Sequence, residues 1–150
     1  MGVGRREGRM AKRTVLFLCT GNSCRSQMAE GWLRHLAGDR YAVYSAGLET
    51  HGVNPRAVQV MAEAGVDLSC HTSNAVSEYL EQSFDLLVTV CGGAREACPL
   101  FGGTVTERRH WPFDDPAAAR GNEEEILAVF RRVRDAIRRR IETFLEEDAA

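Results

Sequence analysis

The sequence predicts an α/β protein: a mainly parallel sheet with helices on both of its sides. Three observations predict it. Short apolar runs of strand length recur along the chain, "TVLFL", "YAVYSAG" and "FDLLVTVC". Between them lie segments whose apolar residues fall at helical spacing. The two kinds of segment alternate, and alternation favours crossover connections between parallel strands.

Residues 14–18 read as a buried strand, β-branched at its start. After Ser26, the residues Met28, Ala29, Trp32, Leu33 and Leu36 keep helical spacing, and Gly38 reads as the stop. "YAVYSAG" is the second strand. "NPRAVQVMAEAG" is a helix opened by Asn54 and Pro55 and closed by Gly65. "FDLLVTVC" is a third strand, and "ERRHWPF" a short fourth. Residues 123–147 carry Ile126, Leu127, Phe130, Val133, Ile137, Ile141 and Phe144 on one stripe, with arginines on the other faces. The basic, Gly-rich residues 1–12 read as a disordered tail, with Met10 a second candidate start, and residues 13–150 as one domain.

Composition narrows the function. The 150 residues carry a formal net charge of -2, which gives no global reason to expect nucleic acid or a membrane surface as partner. No apolar stretch is long enough to cross a bilayer, and the first residues lack the apolar segment of a signal peptide. Five cysteines, an odd number, argue for the cytoplasm and against a disulfide framework.

Cys19 ends the first strand in "LFLCTGNSCRSQMAEGW". A loop between a strand and a helix start collects backbone N–H groups and the positive end of the helix dipole. Thr20, Gly21, Asn22, Ser23, Cys24, Arg25 and Ser26 would cradle an oxyanion there. Gly21 suits a tight turn, Asn22 an unusual dihedral, and Arg25 supplies a planar fork of donors. The same field is expected to lower the Cys19 pKa, with Ser26 donating to the sulfur, so nucleophile and cradle come together. The plainer alternative is a buried core thiol beside a surface arginine and a capping serine. Cys91 and the aspartates of "FDDP" also follow strand ends, where open α/β sheets bind ligands. Cys24 reads as a packing residue, Cys70 as a spectator and the four histidines as structural, with His71 anchoring a turn.

"CTGNSCRSQMAEGW" resembles the phosphate-binding loop of the low-molecular-weight tyrosine phosphatase fold. It is more similar still to the thioredoxin-coupled arsenate reductases built on that fold. The likeness continues in order through "YSAGLETHGVNPRAV", "DLLVTVC", "HWPFDDPA" and "FRRVRDAI". It implies a four-stranded parallel sheet flanked by helices, and reduction of arsenate to arsenite; a monomer is expected. It assigns Cys19 as nucleophile, Arg25 as oxyanion ligand and Asp115, just before Pro116, as general acid. Cys91 and Cys98 become a disulfide relay that thioredoxin recharges, with no tightly bound cofactor or catalytic metal. Some members hold a monovalent cation beside the loop. Asn22, Glu30 and Ser45 match that pattern, which makes potassium a candidate, but the aspartate of the pattern falls at Asn74.

Two rivals remain at this level. A tyrosine phosphatase would need Cys19, Arg25 and Asp115 but neither Cys91 nor Cys98, and "DPAAAR" offers no tyrosine to clamp an aromatic ring. An arsenite-binding module would need converging thiols. A helix from Cys91 to Cys98 would rise about 10.5 Å, whereas a disulfide needs Cα atoms within about 7 Å. The relay therefore demands a rearrangement there, which Gly92 and Gly93 would ease.

Overall fold

The computed structural model describes residues 11–149. The reading of a disordered tail and of Met10 as a start falls on residues 1–10, outside that range. Ala11 and Lys12 lie exposed ahead of the first strand.

The strands are β1 (Arg13–Cys19), β2 (Tyr41–Gly47), β3 (Phe84–Thr89) and β4 (Val105–His110). The helices are α1 (Arg25–Ala37), α2 (Pro55–Glu63), the short α3 (Gly92–Glu96) and α4 (Glu123–Ala149). All strand pairs are parallel, in the order β2-β1-β3-β4. Successive residues Val15, Leu16, Phe17 and Leu18 are all buried, so both faces of β1 are covered. That is why its sequence reads as an unbroken apolar run.

Helix α1 packs on β1, β2 and α4, and α2 on α4 and α1. Along α4, Leu127, Phe130, Val133, Ile137, Ile141 and Phe144 are buried, while Ile126 sits at the margin of the stripe. Asn54 caps α2 as its side chain accepts from the Arg56 N–H at 2.8 Å, with Pro55 following. Gly65 takes a φ of 86° just past the end of that helix, a conformation glycine adopts at little cost.

Two strands, β4 and β3, differ in their bounds from the sequence reading by more than a residue. β4 begins at Val105 and stops at His110 rather than running from Glu107 to Phe113. It is an edge strand with alternating exposed positions, so its apolar signal is weak. β3 ends at Thr89, although the Val90 N–H still donates to the Leu18 carbonyl at 3.0 Å. Cys91 leaves the strand and caps α3 instead, its sulfur accepting from the Ala94 N–H at 3.4 Å.

β1 pairs with β2 on one side and β3 on the other, so the chain changes direction across the sheet at β1. Crevices at the carboxyl ends of such strands are where doubly wound sheets bind ligands.

Candidate active site

Beyond Cys19 the chain makes a tight loop pinned from its outer side. The carbonyls of Cys19, Thr20, Gly21 and Ser23 accept from the N–H groups of Leu48, Glu49, His51 and Asn54, at 2.9 to 3.2 Å. The Asn22 carbonyl accepts from Gln27 Nε2 at 3.1 Å. With the carbonyls held outward, no protein oxygen accepts from the N–H groups of Thr20 to Cys24 among the described residues. Those donors form a nest for an anion at the start of α1.

Asn22 is the one non-glycine residue with positive φ, 50°, among the described residues, and it is fully buried. Its amide donates to the hydroxyls of Ser26 at 2.8 Å and Ser45 at 2.9 Å, and its Oδ1 accepts from the Asn74 N–H at 2.7 Å. Ser26 thus braces Asn22 rather than the Cys19 sulfur. Gly21 keeps a negative φ. Its reason is space: a Cβ there would lie 2.3 Å from His51 Nδ1.

The loop forms a cavity of about 270 Å³ whose walls include Cys19, Cys24, Arg25, His51 and Asp115. Arg25 is held across it, donating from Nη1 to the Phe113 carbonyl at 3.1 Å, with Nη2 3.8 Å from Asp115 Oδ2. Its Nε is buried without a partner. A buried unpaired donor is costly, and an oxyanion oxygen would satisfy it. Asp115 Oδ1 accepts from the Ala117 N–H at 3.0 Å, which fixes its carboxylate in the wall. Asp114 points elsewhere, 83% exposed and 3.6 Å from Arg132.

Cys91 stands beside the loop, its sulfur 3.3 Å from Thr20 Oγ1. Cys19 donates towards Cys91, and the two thiols titrate as a pair. The bond from Cys19, aided by Thr20 and the Ala94 N–H, pushes the Cys91 pKa down to about 4. The same bond, with burial, pushes Cys19 up. Cys19 is therefore raised rather than lowered as the loop field alone would have it, because Cys91 takes the charge, although Arg25 pulls both thiols downward. Burial raises Cys24 to about 11, so it remains a thiol at neutral pH.

Cys98 is half-buried and lies outside the cavity, 3.7 Å from Arg108 Nη1. Cys70 is exposed. His71 fits its expected structural role, contacting Gln27 Oε1 at 2.9 Å and Arg34 Nη1 at 3.2 Å. His51 does not. Its ring packs over Gly21 and forms part of the cavity wall.

The residues matched to a cation site do meet, but they satisfy one another. Ser45 donates to Glu30 at 2.5 Å, Glu30 pairs with Arg34 at 2.6 Å, and Asn74 Oδ1 accepts from Thr72 at 3.1 Å. Arg34 already balances the one carboxylate of the set, so the donors present do not fit a cation. Among the described residues, no group of three or more His, Cys, Asp or Glu side chains could hold a metal ion. No helix there is long and apolar enough to cross a membrane.

Residues 14–149 match the family model described as low molecular weight phosphotyrosine protein phosphatase. An arsenate reductase of Halalkalibacterium halodurans is 57% identical over 137 residues, 91% of this chain and 98% of the relative. One from Bacillus subtilis is 52% identical over 137 residues, with the same coverage. A solved arsenate reductase in its phosphate binding state superposes with a TM-score of 0.76 at 34% identity, covering 90% of this chain and 98% of the other. A low molecular weight protein tyrosine phosphatase from T. tengcongensis, 24% identical with a TM-score of 0.74 and covering 91% and 99%, shares the fold.

Proposed function

Because the chain belongs to the low molecular weight phosphotyrosine protein phosphatase family, we propose that its oxyanion loop and thiols make it an arsenate reductase recharged by thioredoxin. The observation that carries this reading is Cys91. A phosphatase needs one nucleophile and an acid, yet here a second thiol, activated by Thr20 and the Ala94 N–H, is hydrogen-bonded to the nucleophile.

The loop N–H groups and the Arg25 fork bind arsenate. The bound dianion is itself a base and takes the Cys19 proton. The Cys19 thiolate then attacks arsenic, forming an S–As bond. An As–O bond breaks, and Asp115 protonates the departing oxygen so that it leaves as water. Cys91, still a thiolate, attacks the Cys19 sulfur. An S–S bond forms, the S–As bond breaks, and its electron pair stays on arsenic, which leaves as arsenite.

The Cys98 thiolate next attacks the Cys91 sulfur, releasing the Cys19 thiolate and leaving a Cys91–Cys98 disulfide. Thioredoxin reduces that bond with its own dithiol. The chain works as a cytoplasmic monomer, and no step needs a bound cofactor, metal or potassium ion.

A steady-state assay with arsenate, thioredoxin, thioredoxin reductase and NADPH tests the reading. Wild type should turn over, while Cys91→Ser and Cys98→Ser should each stop multiple turnover and retain slow hydrolysis of a small aryl phosphate. Sustained arsenate turnover by both variants would break the relay.

A further inference from the structure

The residues matched to a cation site gather around a cation of the chain's own. Arg34 lies one turn after Glu30 on α1, with Nη2 2.6 Å from Glu30 Oε2. The same nitrogen donates to the Val43 carbonyl of β2 at 2.6 Å. Its Nη1 lies 3.2 Å from His71 Nε2. A guanidinium only donates, so His71 accepts at Nε2 and carries its proton on Nδ1, which donates to Gln27 Oε1 at 2.9 Å. Burial, against the pull of Glu30, holds the His71 pKa below the usual histidine range, which suits a ring that accepts.

From Arg34 two chains of hydrogen bonds run to one residue. On the first, Ser45 donates to Glu30 at 2.5 Å and accepts from the Asn22 amide at 2.9 Å. On the second, Gln27 accepts from His71 and donates to the Asn22 carbonyl at 3.1 Å. Arg34 thus braces Asn22 through its side chain and through its backbone. Asn22 needs the bracing: a φ of 50° is costly for a residue with a side chain, and it persists only where neighbours over-determine it. Its peptide also sets the aim of the loop N–H groups. An ordinary surface pair one turn apart on a helix contributes little. This one differs because Glu30 is only 12% exposed and because Asn22, Gln27 and Ser45 are buried, where a lost hydrogen bond is costly.

We propose that Arg34 is a built-in cation of the oxyanion loop, a positioning residue whose guanidinium takes the place of a bound monovalent ion beside Glu30 and keeps the loop N–H groups aimed at the oxyanion. It rests on the loop being an oxyanion site, and the identity of that oxyanion as arsenate rests on the function proposed above. Arg34 touches neither substrate nor the reacting sulfurs; it acts through Asn22. Without the guanidinium, the Glu30 carboxylate, the Ser45 hydroxyl and the Val43 carbonyl become free oxygen donors in one place. Hard cations take oxygen donors of that kind, so the same change should convert the chain into one that responds to potassium.

The test uses wild type, Arg34→Gln and Arg34→Lys, each in potassium chloride and in choline chloride at equal ionic strength. Two quantities are measured: the Kd of inorganic phosphate by titration calorimetry, and KM and kcat for arsenate in the coupled assay. Wild type should give the same values in both salts. In choline chloride, Arg34→Gln should raise the phosphate Kd and the arsenate KM about tenfold while kcat stays within about twofold. Potassium should bring both back to within about twofold of wild type, a recovery that a misfolded variant would not show. Arg34→Lys keeps a charge beside Glu30, so it should lie closer to wild type and ignore potassium. Wild-type phosphate affinity in Arg34→Gln in choline chloride, or a weakened affinity that potassium leaves weak, overturns the built-in cation. Phosphate binding as expected in all three proteins, with no arsenate turnover by wild type, overturns the arsenate reductase reading and upholds the role of Arg34.

Discussion

Two thiols titrate as a pair beside the carboxyl ends of β1 and β3. Cys91 holds its charge because Cys19 donates to it, so the pair should show a thiolate far below the range of an ordinary cysteine. The sign follows from the lowered pKa: the thiolate is present above about pH 4 and is lost only as pH falls through that value. Ultraviolet titration of wild type should find it at pH 6, and Cys91→Ser should abolish it. Thiols that ionise only in the alkaline range in wild type would contradict the lowered Cys91.

Asp115 and Asp114 separate at the same scale. Asp115 faces the cavity and Asp114 faces Arg132. Asp115→Asn should slow formation of the first arsenic–sulfur adduct by a factor on the order of 10² or more, the usual loss with a general acid. Asp114→Asn should leave it within about twofold. Rapid-quench measurement of the adduct decides, and the opposite order would move the acid to Asp114. The positions of Cys19, Arg25 and Asp115 are legible because Cys19 ends a strand, Arg25 opens the helix that follows the loop, and Asp115 precedes a proline. His51 is not, because only the tertiary path of the loop after β2 lays its ring on Gly21.

Among the elements, α3 and the residues just beyond it form the part that must move. Cys98 contacts Arg108, while Cys91 caps α3 and its sulfur lies against Thr20 Oγ1 at 3.3 Å. The far end of the segment is anchored. The Leu80 carbonyl accepts from the N–H groups of Gly102 at 2.6 Å and Gly103 at 3.2 Å, and Phe101 meets Phe84 edge-on at 6.1 Å between centroids. Rearrangement should therefore stop before Phe101. Hydrogen exchange on the reduced and oxidised forms should differ across residues 92–100 and agree across the sheet and α4. Equal protection in residues 92–100, with the disulfide verified by mass, would contradict it. The sequence pointed to this hinge through Gly92 and Gly93. It did not show that Arg34 reaches Val43 and His71, because those contacts form only when α1, β2 and the segment after α2 pack together.

Over the whole molecule, alternating strand and helix patterns sufficed for the parallel sheet, and the position of β1 puts Cys19 at its switch point. The edge strand was harder to read because its outward positions are polar. The cation pattern shows why matching residues is not enough. With Glu30 engaged by Arg34 and Ser45, the KM for arsenate should be the same in potassium and sodium chloride, and a severalfold drop in potassium would reinstate the site.

The relay itself is tested most directly without any donor. Fully reduced protein is mixed with excess arsenate, and released arsenite is counted against chains while the disulfide is mapped by mass. The relay should yield about one arsenite per chain and a Cys91–Cys98 bond, with Cys19 returned to the free thiol. Absence of arsenite, or release that leaves Cys91 and Cys98 both reduced, would contradict it.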